Sequence, residues 1–278
     1  MTIAIIEILP AGVPARCAIL QCMSKEPFLR EVSLKREHAT DLDRYPFNIA
    51  AIRNLGVLQL HPDVTFFVGE NGSGKSTLLE GIALAVGFGP EGGTRNMRFQ
   101  TASTTSPLFQ ALKVVRSFAK PRDYYFLRAE SFFNVATEIR KLDEEPSFSP
   151  PIGPSYGSRG LHEQSHGESF MALLVKKLRG GGLYLFDEPE AALSPNRQMA
   201  ALTAIHQLVQ EGSQLIIATH SPILLAYPRA KILLFDASGM SEVKYEDTEH
   251  FAVTRDFLNH YPRRLEQLLE DEDAPGPP

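Results

Sequence analysis

The sequence predicts an α/β fold, in which helices cover both faces of a mostly parallel central sheet. Short runs of apolar residues have the length of strands but no polar alternation, which is typical of strands that are buried on both faces. Stretches with helical periodicity separate these runs, and such an alternation favours a layered α/β architecture. The predicted buried strands are 64–68, 183–186, 215–219 and 232–235, and an edge strand begins at Phe28. The helices predicted alongside them are 76–86, 167–178 and 197–211.

The composition predicts a globular protein of the cytoplasm. The chain has 278 residues with 43% hydrophobic residues and a net charge of −5, which allows a sizeable core and does not indicate a polyanion partner. The thiols Cys17 and Cys22 make neither a disulfide framework nor a zinc-binding set, which favours a reducing compartment. Because no apolar run is long enough to span a bilayer and the start lacks a basic segment, we expect neither membrane insertion nor secretion.

Segments where the alternation of strand and helix patterns stops predict the boundaries within the chain. A mostly helical insert interrupts the main domain, and an acidic, proline-rich end is expected to be disordered. The predicted segments are an N-terminal extension at 1–27, a main domain at 28–262 with its insert at about 90–162, and a helix end with the disordered tail at 263–278. Within the insert, the predicted helices are 107–118 and 132–142.

The strongest local signal is a glycine-rich loop between a predicted strand and a predicted helix. Residues 69–77 fit the pattern G-x-x-x-x-G-K-[ST], whose backbone N–H groups surround the phosphates of a nucleotide. Lys75 supplies a full positive charge, and the Ser76 hydroxyl is a ligand for Mg²⁺. A chance glycine-rich turn is the alternative. The predicted nucleotide-binding residues are Gly69, Glu70, Asn71, Gly72, Ser73, Gly74, Lys75, Ser76 and Thr77.

Two other predicted strands end in polar residues. Asp187 and Glu188 follow one of them, where the first acid faces Mg²⁺ and the second polarises the attacking water. A polar strand end with a turn at Pro189 is the alternative. His220 follows another strand, where it either contacts the γ-phosphate or has only a structural role.

Two further polar segments lie at predicted helix starts. Residues 164–168 open an apolar helix, where a small hydroxyl and unpaired N–H groups suit an anion, while an ordinary N-cap by Ser165 is the alternative. Residues 247–250, with Arg255 and Asp256 after them, are interpreted as a surface loop and a helix start.

Taken in chain order, these motifs resemble those of ABC-type ATPases. They correspond to the Walker A loop, the signature loop, the Walker B strand with its glutamate, and the switch histidine. The spacings are also similar, since Ser165 follows Lys75 by 90 residues, Asp187 follows 22 residues later and His220 another 33. The segment 187–195 resembles the D-loop of the SMC/RecF and OLD-like branch, and the chain is similar to small stand-alone bacterial ATPases of that branch.

The resemblance implies the head of a P-loop NTPase at 28–262 that binds and hydrolyses ATP with Mg²⁺. It also implies a head-to-tail homodimer in which the signature loop of one copy closes on the ATP of the other. Lys75, Glu188 and His220 would be catalytic, with Glu188 activating water and His220 contacting the γ-phosphate. In the dimer, Ser165, Gly167 and Glu168 would contact ATP in trans, and Leu193 and Ser194 would lie at the seam.

The chain departs from the family pattern at His166, and its Glu168 replaces the glutamine of transporters, as in SMC-like relatives, while the glutamine loop and the adenine-stacking aromatic have only candidate residues. His166 stands where the signature loop has glycine, which puts a bulky ring beside the expected phosphate position. Gln100 is the candidate for the glutamine loop and for a third Mg²⁺ ligand, with a plain polar loop residue as the alternative. Tyr45 and Phe47 are both candidates for stacking on adenine, and both also suit a core or turn role.

The sequence leaves the process that ATP drives open. A DNA-related or defence process is favoured, and the alternatives are a nucleotide-switched protein that controls a soluble effector and the ATPase subunit of a transporter. The insert contains basic residues with interleaved aromatics that would suit a nucleic-acid face, although a solvated helix face is the simpler interpretation. These residues are Lys113, Arg116, Lys120, Arg122, Tyr124, Tyr125 and Arg128.

Overall fold

The computed structural model describes most of the chain. The described residues are 25–35, 37, 41–95, 106–144, 151–156 and 166–269, with the side chains of Phe133 and His166 left out. The predicted N-terminal extension therefore lies outside them except for residues 25–27, and so does the predicted disordered tail. No described helix is both long and apolar enough to cross a membrane.

A seven-stranded sheet in the order β10-β9-β3-β8-β7-β6-β4 forms the centre of the fold. The strands β9, β3, β8, β7 and β6 run parallel, and β10 and β4 close the two edges antiparallel. All parallel strands therefore end at one edge of the sheet. The strand bounds are β3 Val64–Gly69, β4 Gly93–Thr94, β6 Asp123–Arg128, β7 Gly182–Asp187, β8 Gln214–Ala218, β9 Lys231–Asp236 and β10 Gly239–Val243.

A second, antiparallel sheet of three strands covers part of one face. Its order is β2-β1-β5, with bounds β1 Leu29–Leu34, β2 Leu58–Gln59 and β5 Leu112–Arg116. The helices are α1 Ala50–Arg53, α2 Lys75–Val86, α3 Leu108–Ala111, α4 Phe132–Glu144, α5 His166–Ala172, α6 Pro195–Gln210, α7 Pro222–Leu225 and α8 Glu249–Leu269. A π-helical turn at Leu173–Lys177 extends α5, and 3₁₀ turns lie at Gly153–Tyr156, Pro189–Ala192 and Tyr245–Asp247.

Two apolar clusters lie on the two faces of the central sheet. In β3, Phe66 belongs to the cluster under α4, α5 and α6, and Phe67 belongs to the cluster under α1, α2 and the small sheet. Successive residues of a strand point to opposite faces, so a strand with both faces covered must be apolar at every position. The four predicted buried strands are confirmed for this reason.

The prediction of a mostly helical insert is wrong for its described part. The helix predicted at 107–118 is only the short α3, and the chain continues as β5, which pairs with β1. Val114 and Val115 are β-branched residues that pair across a strand edge, and this tertiary partner outweighs the local helical pattern. Residues 123–128, which were not expected to be a strand, pair with β7 as β6. The helix predicted at 132–142 is confirmed as α4.

Helix α8 extends past the predicted domain boundary at residue 262. It has non-helical dihedrals at His260, and Pro262 follows two residues later. Proline lacks an N–H and its ring clashes with the carbonyl four residues earlier, which explains the kink. None of its described residues is buried, and Val253, Phe257, Tyr261 and Leu265 are exposed apolar residues on it.

Candidate functional site

The glycine-rich loop joins β3 to α2 at the edge where the parallel strands end. Gly69, Gly72 and Gly74 have φ angles of 145°, 80° and 101°, a region in which side chains are strained. Helix α2 begins directly afterwards at Lys75, and the first N–H groups of a helix have no partner within it. The loop therefore presents backbone donors to an anion, as its sequence predicts.

Gly69→Ala is expected to lower the free energy of unfolding by about 2 kcal/mol or more, because the new Cβ meets the backbone oxygen of Phe235 in β9. Gly72→Ala is the matched control, since a Cβ there meets nothing within 4 Å and only the cost of its φ angle remains, about 1 kcal/mol. Urea unfolding of the two variants measures the difference. Equal losses would show that the contact with β9 does not set the cost.

Lys75 is buried under this loop, with 4% of its surface exposed. Its Nζ donates to the carbonyl oxygens of Gly69 and Glu70, both at 2.8 Å. Burial lowers the pKa of Lys75, while the carboxylates of Glu188 and Asp187 oppose that shift. The ammonium is thus held at the loop, where it can exchange these carbonyl oxygens for phosphate oxygens.

Ser76 and Asp187 meet although they come from distant parts of the sequence. The Ser76 Oγ donates to Asp187 Oδ1 at 2.8 Å. Burial raises the pKa of Asp187 to about 6, and the bond from Ser76 and the charge of Arg128 limit the rise, so the group is mostly ionised at neutral pH. A hydroxyl and a carboxylate oxygen are ligands that Mg²⁺ prefers, so the pair fits the predicted metal. The third predicted ligand, Gln100, lies outside the described residues.

Glu188 lies just beyond β7 with a φ of 50°, which is unusual for a residue other than glycine. Such a conformation costs about 1–2 kcal/mol, and strained residues of this kind are concentrated at functional sites. Its N–H donates to the carbonyl of Ala218 at 2.9 Å. Its Oε1 lies 3.7 Å from the Nε2 of His220. The structure therefore places the predicted base beside the predicted switch histidine.

His220 is neutral at pH 7. Burial, together with the charges of Lys75 and His250, lowers the pKa of His220 to about 4. The contact with Glu188 is for this reason a polar contact and not an ion pair. The backbone N–H of His220 donates to Glu190 Oε1 at 2.5 Å, which fixes the segment after β8 to the turn after β7.

Arg128 is a residue of this edge that the sequence reasoning placed elsewhere. It is the last residue of β6 and pairs in register with Asp187. Its Nη1 lies 2.8 Å from Glu80 Oε2, and its Nε lies 3.9 Å from Asp187 Oδ2. Because Arg128 lies in a strand at this edge, neither a nucleic-acid face nor the solvated helix face favoured from the sequence describes its position. A position at the end of a strand would have indicated that Arg128 belongs to this edge. The segment was predicted to be mostly helical, so β6 was not identified from the sequence.

The remaining residues of that candidate face have different surroundings. Tyr125 is 1% exposed and packs in the core, so it is not available for stacking on a base. Arg116 donates to the carbonyl oxygens of Ala85 and Val86 at the end of α2. Lys113 is exposed. Arg116, Lys120 and Tyr124 nevertheless line one cavity together, so the set is divided between this cavity, the core and the sheet edge.

His250 is a second residue that the sequence did not assign to the site. The helix start predicted around it is confirmed, and a 3₁₀ turn precedes it in place of the predicted loop, but His250 also contacts His220. Its Nε2 lies 3.0 Å from the Nδ1 of His220. The two histidines also line one cavity of about 500 Å³, with Glu70, Asn71, Glu249, Val253 and Thr254. No local pattern joins residues so far apart in sequence.

The signature segment is described only in part. Ser165 lies outside the described residues, and His166 begins α5 with its side chain not described. A Cβ on Gly167 would lie 2.6 Å from the carbonyl oxygen of Ala192, so packing within the chain already requires glycine there. Glu168 Oε1 lies 3.7 Å from Arg197 Nη2. The trans roles of Ser165, Gly167 and Glu168 remain predictions.

The side chains of two other predicted residues differ from expectation. Leu193 is 7% exposed and packs in its own core, so its side chain does not lie at a dimer seam in this conformation, whereas Ser194 is exposed.

Phe47 is 8% exposed in the other core cluster, which excludes it from stacking on adenine here. Tyr45 is 61% exposed, and its hydroxyl lies 3.4 Å from Thr77 Oγ1. Of the two aromatic candidates, Tyr45 is therefore the accessible one.

Two family models match the chain, one on each part of this site. A model described as "AAA domain" matches residues 47–140, which include the glycine-rich loop and β6. A model described as "AAA domain, putative AbiEii toxin, Type IV TA system" matches residues 161–226, which include Asp187, Glu188 and His220.

Similar curated proteins include two whose names refer to transport. The chain is 24% identical over 172 residues to the ABC transporter G family member STR2 of Medicago truncatula, covering 57% of this chain and 24% of that protein. It is 25% identical over 228 residues to the L-cystine transport system ATP-binding protein TcyN of Escherichia coli, covering 73% of this chain and 90% of that protein. The chain thus spans about a quarter of the first relative and most of the second.

Solved structures of similar proteins include an ATP-binding cassette of an ABC transporter in its ADP conformation. It has 16% identity and a TM-score of 0.49, with 88% of this chain and 100% of that chain covered. The SMC head domain from Thermotoga maritima has 14% identity and a TM-score of 0.39, with 78% and 98% covered. Both TM-scores are low, so the fold assignment depends on the strand order and the loop geometry.

The family matches cover both parts of the edge where the loop, the two acids and the histidine meet. Ser76 and Asp187 offer oxygen atoms of the kind that Mg²⁺ prefers, and Lys75 offers a positive charge beside the loop. The chain is therefore similar to ABC-type ATPases in its matched segments, and the residues at this edge suit the binding of ATP with Mg²⁺.

Proposed function

We propose that hydrolysis takes place at this sheet edge, with Lys75, Glu188 and His220 as the catalytic residues. The observation that carries the proposal is the 2.8 Å contact between Ser76 and Asp187, with Glu188 directly after Asp187 in the chain. Bound Mg²⁺ would neutralise phosphate charge, held by Ser76 and Asp187. The glycine-rich loop from Gly69 to Thr77 would hold the phosphates through its N–H groups.

The reacting groups have separate roles in this proposal. Glu188 accepts a proton from water while the water oxygen attacks the γ-phosphorus, and the bond to the ADP oxygen breaks. Lys75 stabilises the negative charge that the phosphate oxygens carry, because its ammonium lies under the loop. His220 is neutral and donates from a ring nitrogen to the γ-phosphate.

We further propose that the site is completed by a second copy in a head-to-tail homodimer. The side chains of Glu188 and His220 retain 41% and 29% of their exposure, so their own chain does not seal the site. Ser165, Gly167 and Glu168 of the second copy would then close on the γ-phosphate. His166 would lie beside them, at the position where the family pattern has glycine.

The shared site predicts complementation between two inactive variants. Lys75→Ala removes the phosphate charge, and Ser165→Arg blocks the signature loop, so each variant alone should be inactive. In a mixed dimer one site carries both defects and the other carries neither. An equal mixture should therefore recover about a quarter of the wild-type rate, since about half of the dimers are mixed and each has one of two sites intact. Phosphate release measures this recovery.

Lack of recovery in a mixture that demonstrably contains mixed dimers would contradict the shared site. Pulldown of a tagged variant with its untagged partner in the presence of ATP detects these dimers. In the matched control, one of the two single variants is mixed with the Lys75→Ala, Ser165→Arg double variant. No site in any dimer of that mixture is intact.

The process driven by ATP is proposed to be DNA-related or defensive, in the cytoplasm. A defence role is supported by the toxin–antitoxin description of the family model that matches residues 161–226. The nucleotide-switched control of a soluble effector is compatible with the same match. The role of a transporter subunit is supported by the similarity to TcyN, which the chain covers over 90% of its length.

One set of measurements separates these candidates. ATP hydrolysis is measured with and without double-stranded DNA, and the tagged Glu188→Gln variant is used with ATP to capture partners from the native host. A DNA-related role predicts a rate increase with DNA, and a transporter role predicts capture of an integral membrane protein. Capture of a soluble protein without a DNA effect would favour the switched effector instead.

A further inference from the structure

His250 contacts the switch histidine from the opposite side to Glu188. Its Nε2 is 3.0 Å from the Nδ1 of His220, and the centroids of the two rings are 5.2 Å apart. The other ring nitrogen of His220, Nε2, lies 3.7 Å from Glu188 Oε1. His220 therefore lies between a second histidine and the proposed base.

The position of one proton decides what His220 can do. A hydrogen bond between two ring nitrogens contains one proton, and a neutral imidazole has one N–H. A proton on Nδ1 of His220 would turn the bare Nε2 towards the Glu188 carboxylate, so that two acceptors would face each other. A proton on Nε2 makes that nitrogen a donor towards the carboxylate and leaves Nδ1 as an acceptor for His250.

We propose that His250 is a positioning residue, which donates from its Nε2 to His220 Nδ1 and so keeps the proton of His220 on Nε2. That nitrogen then donates to a γ-phosphate oxygen, so this inference depends on the proposed role of His220. Burial lowers the pKa of both rings and the charge of Lys75 lowers them further, so both are neutral at pH 7 and each has a single N–H.

The first turn of α8 is held to the same part of the fold as His220. Thr248 is fully buried, and its hydroxyl donates to the Tyr245 carbonyl at 2.7 Å. The Tyr245 hydroxyl donates to the Pro222 carbonyl at 2.8 Å, two residues after His220. Tyr245 also packs on Phe251, with ring centroids 4.5 Å apart. These contacts at the start of α8 fix the position of His250 relative to His220.

A set of variants separates the hydrogen bond from the size of the ring. His250→Gln retains an N–H donor, and His250→Leu has a similar volume without one. We expect His250→Leu to lower kcat about tenfold with little change in KM, because the donor that fixes the tautomer is lost. His250→Gln should stay within about threefold of the wild-type kcat. Equal losses in both variants would indicate a role in packing only and would overturn the proposal.

A double-mutant cycle tests whether His250 acts through His220. In a His220→Ala background, His250→Leu should have no further effect on kcat, because the nitrogen that it positions is absent. Independent, additive losses in the double variant would contradict the proposal.

The ¹⁵N spectrum of the histidine rings tests the tautomer without reference to activity. His220 is assigned by the signals that disappear in His220→Ala, and the wild-type protein should show His220 protonated on Nε2 alone. His250→Leu should convert it to a mixture of both tautomers. Protonation on Nδ1 in the wild-type spectrum would overturn the proposal even if the leucine variant failed to fold. If the His220→Ala variant kept the wild-type rate, the proposed role of His220 in hydrolysis would be wrong. The spectrum would then still test whether His250 sets the tautomer of His220.

Discussion

Replacing Glu188 by glutamine is expected to lower the rate of ATP hydrolysis about 10²–10⁴-fold and to leave ATP binding intact. Glutamine has nearly the same shape but cannot accept the proton of the attacking water. Lys75, Ser76 and Asp187, which are proposed to hold the nucleotide, are unchanged in this variant. Phosphate release measures the rate, and calorimetry with Mg-ATP measures the affinity.

The same variant should also accumulate as a dimer with ATP, because the composite site closes and does not turn over. Sizing in the presence of ATP detects it. Glu242→Gln is the matched control, since Glu242 is an exposed carboxylate on β10 that pairs with Lys231. A Glu188→Gln variant that hydrolyses ATP at the rate of the control would show that another group is the base.

Lys75→Ala is expected to weaken the binding of Mg-ATP about 100-fold, and hydrolysis should be lost with it. The ammonium is a charged donor under the loop, and each hydrogen bond to a charged group contributes about 1.5–3 kcal/mol. Its two bonds to the carbonyls of Gly69 and Glu70 show that it lies within reach of the loop interior. Calorimetry with Mg-ATP measures the change in affinity.

Lys113→Ala is the control for the loss of one positive charge, because Lys113 is exposed on the small sheet. It should bind Mg-ATP as tightly as the wild-type protein does. If Lys75→Ala also kept its wild-type affinity while remaining folded by circular dichroism, the assignment of residues 69–77 as the phosphate-binding loop would be wrong.

The central sheet was predictable because strands that are buried on both faces consist of apolar runs without polar alternation. Strands such as β3 and β8 are apolar at nearly every position. The strand β5 was not predictable in the same way. Its residues are half-buried, and they become a strand only because β1 offers an edge for pairing. Local propensity contains no information about such a distant partner.

The site was predictable where its residues lie in contiguous motifs. Lys75 and Ser76 follow their glycines directly, and Asp187 and Glu188 end a strand, so local patterns reveal them. His250 and Arg128 are different because they reach the site only through the packing of α8 and the register of β6. Neither residue is part of a recognisable motif, and only the three-dimensional arrangement brings them to His220 and Asp187.

The most direct measurement of the central claim is phosphate release from Mg-ATP by the purified full chain, side by side with Glu188→Gln prepared identically. The wild-type protein should release phosphate only when Mg²⁺ is present, and the variant should bind ATP without releasing phosphate. Equal rates in the two preparations would contradict hydrolysis at the edge formed by Lys75, Asp187 and Glu188.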